Sequence, residues 1–399
     1  MRSHEIRDAF PFFQPIIRRD DESVFAYEVL GRVKREGRIK SLGPFFENPQ
    51  IADAEKLEID GLIREKAFAA YAELRPSAKL FVNIKPSWIL NAPAARPEES
   101  VLHLIDKYKI EAENIVVEVT EEELLGDMEV FSRLVTQYRR AGCLLAIDDF
   151  GKGASSIERI AYLMPDILKI DRSIVQRLDL QRSFFDVSNA MSSFGSFSGF
   201  DILFEGIETP YELEACVEAR GRFYQGYIFS QARPVMDGHF DNQKLLSDML
   251  SLQGMYTQNI LKRRNKIIKQ LKALVQNNIH ILPKTPQNFA DPDALLAFTA
   301  LLPHYCVQCF ICDAKGREIS WCYSLLPDGS TALHDRRTTC WFYNDFFLNG
   351  LYELQGEHIC CLSRSYKSVA TKGDLATYMQ LLPGGNYLCI DIMSLSNEL

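Results

Sequence analysis

Six short apolar runs end in a charged side chain or an amide: Tyr27 then Glu28, Val82 then Asn83, Val117 then Glu118, Ile147 then Asp148 and Asp149, Leu168 then Lys169, and Phe204 then Glu205. One acid at such a place is an ordinary cap or ion pair. Five carboxylates and an amide aimed at a single rim would repel one another unless cations neutralised them, because like charges are costly when close and desolvated. Oxygen ligands without histidine or cysteine favour hard cations, Mg²⁺ or Mn²⁺, over zinc. None of the seven histidines stands at these run ends. Two such ions about 3.5 to 4 Å apart are a usual device for cleaving phosphodiesters, since they stabilise the attacking and leaving oxygens and acidify a bound water. Asp148 followed directly by Asp149 suits that device, one carboxylate bridging the ions while its neighbour holds one of them. By themselves these residues point to a metal-dependent hydrolase or lyase.

To converge, the run ends need a scaffold with all of them on one face. Up to about residue 235, apolar runs recur at 12–16, 25–30, 80–84, 115–119, 144–147, 167–170, 202–204 and 223–228, with helical stretches between them. Continuous apolar runs alternating with helices are the pattern of parallel strands buried on both faces. About eight such units suit a (β/α)₈ TIM-like barrel, an α/β fold whose strand ends meet where its enzymes place their chemistry. Residues 241–278 lack proline and carry apolar residues at helical spacing, which predicts a long connecting helix with Gly254 as a candidate break. Its basic run from Lys262 to Lys272 reads as a solvated face. Three prolines between 282 and 292 mark a boundary. Beyond it, YCVQCFICDAKGREISWCY predicts a hairpin turning at Asp313 to Gly316, followed by a helical stretch at 341–354 and further strands, an α+β module of about 120 residues. The expected domains are a barrel over 1–240, a connecting helix over 241–280 and a smaller domain over 281–399.

The chain of 399 residues has a formal charge of −8, which argues against a dedicated nucleic-acid surface and gives no support for a membrane-surface role. Its start lacks the basic segment and apolar run of a signal peptide, so a cytoplasmic location is expected. Eight of the ten cysteines follow residue 300: Cys306, Cys309, Cys312, Cys322, Cys340, Cys360, Cys361 and Cys389. The first three form C-x-x-C-x-x-C inside an apolar strand-like run, where cysteine packs as a small hydrophobe; a redox or metal input is the alternative.

The polar run ends lie inside longer blocks: FQPIIRRDDESVFAYEVLGR, VNIKP at 82–86, VVEVTEEE at 116–123, IDDFGKGASS at 147–156, LKIDRS at 168–173, FEGIE at 204–208 and YQGYIF at 224–229. In order and spacing, over about 220 residues, these blocks resemble the EAL-domain family of bacterial cyclic di-GMP phosphodiesterases, with Glu28, Val29 and Leu30 at the namesake tripeptide. The resemblance implies two divalent ions, Mg²⁺ or Mn²⁺, held by Glu28, Asn83, Glu118, Asp148, Asp149 and Glu205. It implies catalytic roles for Glu28, for Lys169 beside the nucleophilic water, and for Glu205 as ligand or general base. Gln14, Arg32, Asp171 and Gln225 match substrate contacts, with Arg32 the natural phosphate partner. The loop after the paired aspartates matches the family at Gly151, Gly153, Ser155 and Ser156, with Glu121 as its anchoring glutamate, but Lys152 and Ala154 replace the usual threonine and aromatic residue, a change that bears on loop movement rather than on metal binding. The implied reaction is hydrolysis of cyclic di-GMP to linear pGpG, the alternative being a receptor that binds the dinucleotide without useful turnover. No synthase segment of the GGDEF kind accompanies it.

The segments KLLSDMLSLQGMYTQ, FICDAKGREIS and WFYNDFFLNG resemble EAL proteins with a YkuI-type C-terminal domain, PAS-like or Cache-like in fold. That resemblance implies a regulatory module, a homodimer, and a small ligand or protein partner acting through the helix. A redox or metal sensor working through the C-terminal cysteines is a third reading.

Overall fold

The structure is a computed structural model and describes residues 8–85, 100–120, 128–152, 157–285, 288–289, 291–326, 330–354, 358–367 and 374–393. The chain forms two compact units, 1–253 and 254–399. Among the described residues no helix is long and apolar enough to cross a membrane.

In the first unit, β1 (Phe10–Arg18) and β2 (Ser23–Arg35) are joined by four residues. A parallel crossover needs a dozen or more. The two strands therefore pair antiparallel over nine positions, Phe10 opposite Arg32 to Arg18 opposite Ser23, and the expectation of parallel strands throughout is corrected here. After β3 (Arg38–Ser41), which extends the hairpin, come β4 (Lys79–Asn83), β5 (Ile115–Thr120), β6 (Leu144–Phe150), β7 (Ile167–Ile170), β8 (Asp201–Phe204) and β9 (Phe223–Tyr224). From β2 through β4 to β9 the neighbours are parallel, and β9 closes the ring onto β1. The result is a closed eight-stranded barrel surrounded by helices, of which Pro210–Glu218 opens on a capping box between Thr209 and Glu212.

The inside of the barrel is layered. Ile16, Ala26, Phe81, Val116, Ala146, Ile167, Leu203 and Phe223, one from each strand, form an apolar cluster of their own, separate from the larger core that contains the helices. Side chains two residues apart on a strand face the same way. Two steps toward the mouth, the same eight strands therefore present Gln14, Glu28, Asn83, Glu118, Asp148, Lys169, Glu205 and Gln225. Glu205 and Gln225 lie one residue past their strands but continue the ladder, through Glu205 N to Ile170 O at 3.1 Å and Gln225 N to Phe204 O at 2.9 Å.

Two expected strand limits shift. Glu28 is mid-strand, because β2 continues along β1 and β3 to Arg35. The run at 223–228 is strand only over Phe223–Tyr224, since the chain then crosses close to Ile207, where a Cβ on Gly226 would lie 2.0 Å from the Ile207 carbonyl oxygen.

The helix Gln243–Asn277 runs unbroken through Gly254; a glycine in a helix costs about 1 kcal/mol relative to alanine without forbidding the helix. In the second unit its residues Ile267, Leu271 and Val275 cover one face of an antiparallel sheet ordered β12-β11-β10-β16-β15-β13. The members are β10 (Cys306–Cys312), β11 (Cys322–Leu325), β12 (Thr331–His334), β13 (Cys360–Leu362), β15 (Asp374–Leu381) and β16 (Tyr387–Met393), with β14 (Tyr366–Lys367) beside β15. Phe346 and Phe347 of the helix Asp345–Leu354 cover the other face. Of the basic run, Arg264 is half-buried and donates to the carbonyls of Leu362 and Ser363, while Lys262, Arg263, Lys266 and Lys269 are exposed.

The C-x-x-C-x-x-C run falls on β10, and an irregularity between Cys306 and Gln308 resets its alternation. Cys306 and Cys309 then pack on the face toward Leu271, whereas Cys312 joins Cys322, Cys361 and Cys389 on the opposite face. The three cysteines do not share a site. Burial pushes the Cys306 and Cys322 thiols up to about 12, so both are packed, unreactive groups.

Candidate active site

The polar layer at the barrel mouth centres on Lys169. Its side chain is fully buried, and its ammonium contacts Glu118, lies 3.0 Å from Asp148 Oδ1 and 2.9 Å from Glu205 Oε1, and is 3.9 Å from Glu28 Oε2. One cation faces four carboxylates. One oxygen each from Glu118, Asp148 and Glu205 lies within 4.8 Å of the other two. Burial, then the neighbouring Glu205, pushes the Asp148 carboxyl well above the usual range. Glu205 is also raised by burial, with Lys169 opposing the shift. Glu118 Oε2, Asp148 Oδ1, Glu205 Oε1 and Gln225 Oε1 are buried without a hydrogen-bond partner among the described residues, so the two oxygens near Lys169 are at ion-pair distance without hydrogen-bond alignment. Buried polar atoms of this kind are rare and costly.

Asp149 breaks the alternation of β6. It adopts φ +58, the left-handed region that aspartate tolerates better than most residues, and the register with β7 shifts between Ile147 and Phe150. Two consecutive aspartates can thereby both serve the mouth. Gly151 follows at φ +96, where a side chain would meet Ile174 at 2.9 Å. The turn carries Lys152 back over Asp149, with Nζ 3.3 Å from Oδ2. Asp171 caps the helix Arg172–Val175 by accepting the Ser173 amide at 2.8 Å.

Gln225 is buried, and its side-chain amide donates to Glu28 Oε2 at 2.6 Å. Gln14 donates to the Ser230 carbonyl at 3.2 Å. Arg32 is half-buried four residues beyond Glu28 on the same face of β2, or about 13 Å along the strand. Its guanidinium lies 5.8 Å from the Phe12 ring centre and donates to the Gly31 carbonyl. A cleft of about 240 Å³ beside the polar layer is lined by Gln14, Glu28, Glu205 and Gln225, and also by Leu30, Arg172, Glu208 and Tyr227. Of these, Arg172, Glu208 and Tyr227 were not singled out by the sequence reading, and Leu30 only as part of the tripeptide. The spacing of Glu208 three residues after Glu205 and of Arg172 next to Asp171 was the available signal; the two side chains meet at 2.6 Å. Glu121, Gly153, Ser155 and Ser156 lie outside the described residues.

The donors are all oxygen, three of them orphaned around excess negative charge, which fits a hard divalent cation. A family model described as the EAL domain matches residues 2–232. The chain belongs to the EAL-domain family. The uncharacterized EAL-domain containing protein YkuI of Bacillus subtilis is 26% identical over 402 residues, which is 97% of this chain and 95% of that protein. The solved YkuI structure, in complex with substrate c-di-GMP and calcium, superposes with a TM-score of 0.84 at 24% identity, covering 98% of this chain and 99% of that one. This likeness shows that the fold is shared by the EAL barrel and by the C-terminal unit alike. The cyclic di-GMP phosphodiesterase RocR of Pseudomonas aeruginosa is 28% identical over 169 residues, 42% of each chain. A standalone EAL protein from Vibrio cholerae, solved in a c-di-GMP bound form, is 27% identical with a TM-score of 0.50, over 57% of this chain and 92% of that one.

Proposed function

We propose that this EAL protein hydrolyses cyclic di-GMP to linear pGpG with two divalent ions, Mg²⁺ or Mn²⁺, and that its C-terminal part is a PAS-like regulatory and dimerising domain. The observation that carries the reading is the ring of eight polar side chains one layer above the apolar barrel floor, with unanswered carboxylate oxygens around Lys169. Glu28, Asn83, Glu118, Asp148, Asp149 and Glu205 would hold the ions. Bound there, such ions supply an acidified water and neutralise charge on the phosphodiester.

The chain's own residues do the rest. Lys169 is fixed by burial, so its charge stays at the reacting phosphate and its N–H groups can orient the attacking oxygen. Glu205, with Oε1 2.9 Å from the Lys169 ammonium, is placed either to hold an ion or to take a proton from the attacking water. Gln225 holds Glu28 in position, and its second face is available to the dinucleotide. Arg32 and Gln14 bind from β2 and β1, and Asp171 from the rim, Arg32 pairing with the second phosphate. The YkuI structure with c-di-GMP and calcium and the c-di-GMP bound Vibrio cholerae protein support this choice of ligand and of cation type.

Conversion of cyclic di-GMP by the full chain with Mg²⁺ or Mn²⁺, followed by chromatography, tests the reading. Accumulation of pGpG that disappears in Glu28→Ala supports it. Tight binding without pGpG in any divalent ion would replace it with the receptor reading, which the Lys152 ammonium on Asp149 favours.

A further inference from the structure

We infer that Lys152 is a tethered counter-cation that competes with a divalent ion for Asp149, so that the two ion positions of this mouth differ in affinity. The inference rests on the proposed reading of the mouth as a two-ion site.

The mouth neutralises its acids in two separate ways. Inside the barrel, Lys169 rises from β7, is fully buried and faces four carboxylates. It has no solvent to withdraw into, so an ion arriving among Glu28, Glu118, Asp148 and Glu205 settles alongside it. At the rim, Lys152 stands on a turn closed by its own amide to the Asp149 carbonyl at 3.1 Å. Its ammonium lies 3.3 and 3.5 Å from the two Asp149 oxygens, and its side chain is 55% exposed. The same charge acts on Asp171, which lies near Asp149. The ammonium thus covers both oxygens that Asp149 could offer to an ion.

Such a lysine is displaced rather than accommodated. A divalent ion at Asp149 would meet a like charge within a few ångströms, and the lysine has water to move into. Exposed pairs of this kind are weak, so the competition lowers affinity at one position without closing it.

Manganese titration of the substrate-free, full-length protein tests this, with bound ions counted by calorimetry and by the spin resonance of free Mn²⁺. Lys152→Thr should bind the weaker ion about two- to fivefold more tightly, the worth of one exposed ion pair, and leave the tighter ion unchanged. Lys152→Arg should keep the weak affinity, and Lys152→Gln should follow the threonine variant. Identical weak affinities in all four proteins would overturn the inference while leaving the two-ion reading in place. Failure of every protein, wild type included, to take up manganese would overturn both.

Discussion

At the barrel mouth, Glu118, Asp148 and Glu205 gather within 4.8 Å of one another around a single lysine. In the second unit the buried Asp391 instead accepts hydrogen bonds from Thr377 at 2.7 Å and Tyr366 at 3.3 Å, and Glu318 accepts one from the Trp341 indole at 2.7 Å. Burial is the largest cause of the raised pKa in both places: Asp391 stands at about 6 and Glu318 at about 7, while Asp148 is well above its ordinary value. A raised carboxyl is therefore no mark of a site in itself. What distinguishes the mouth is how many acids converge: four carboxylates face Lys169, whereas Asp391 and Glu318 each have neutral donors and the nearby charge of Arg336. Asp391 is answered by this chain's own hydroxyls, while Glu318 Oε2 has no hydrogen-bond partner among the described residues; the mouth, with four acids facing one lysine, calls for an ion.

The strongest way to break this contrast is through turnover. Glu118→Gln keeps the volume and removes one charge, and should lower pGpG formation by roughly a thousandfold in a chromatographic assay. Next, Lys169→Met strips the inner acids of their cation and should cost the metal-free protein about 3–5 kcal/mol in denaturant unfolding, with Mn²⁺ restoring part of it. Asp391→Ala removes the acceptor that the Thr377 and Tyr366 hydroxyls share, leaving them only their mutual contact at 2.8 Å, and should cost about 1–3 kcal/mol with no change in Mn²⁺ uptake. A loss of Mn²⁺ uptake in that variant would erase the distinction drawn above.

The smallest expected effect concerns pH. Folding raises the Glu318 and Asp391 carboxyls, so the folded chain keeps protons that the unfolded chain releases, and stability falls as pH climbs from the ordinary carboxylate range through about 6 and about 7. Melting temperatures measured from pH 5 to 8 should decline, and Glu318→Gln should flatten the upper part of that decline. Adding Mn²⁺ should leave the part of the decline that Glu318→Gln removes, because Glu318 is outside the mouth.

The polar layer was legible in the sequence because strands alternate strictly: an apolar residue facing inward is followed two positions later by the group that faces the mouth. That regularity links Val116 to Glu118 and Ala146 to Asp148 with no knowledge of the fold. The reading fails where local geometry departs from the period. The antiparallel β1 was hidden in a four-residue connection, the end of β9 in the close approach of Gly226 to Ile207, and the split of the cysteines in one irregular step of β10. The contact of Lys152 with Asp149 depends on a left-handed aspartate that no hydrophobic pattern reports. Gln225 was assigned to the substrate by resemblance; its hydrogen bond to Glu28 spans 197 positions and leaves no trace in local spacing.

The seam between β1 and β9 has a consequence in time. Its strand ladder is two residue pairs, Ile17 with Tyr224 and Arg18 with Phe223, continued by the Arg19 amide to the Arg222 carbonyl at 2.9 Å, whereas β1 and β2 zip together over nine neighbouring positions. Pairing partners some 200 residues apart is slow and late in folding, and so short a ladder is the natural first place for the barrel to reopen. The two ring members beside that seam, Gln14 and Gln225, are the uncharged glutamines; the five acids and both lysines lie along the arc from β2 to β8. A fluctuation that parts the seam therefore breaks the Gln225 amide to Glu28 and the Arg222 pair with Asp20 first, and leaves Glu118, Asp148 and Lys169 on β5 to β7 assembled. Amide exchange would show this as early labelling of Phe223 and Tyr224 against lasting protection of Val116 and Val117.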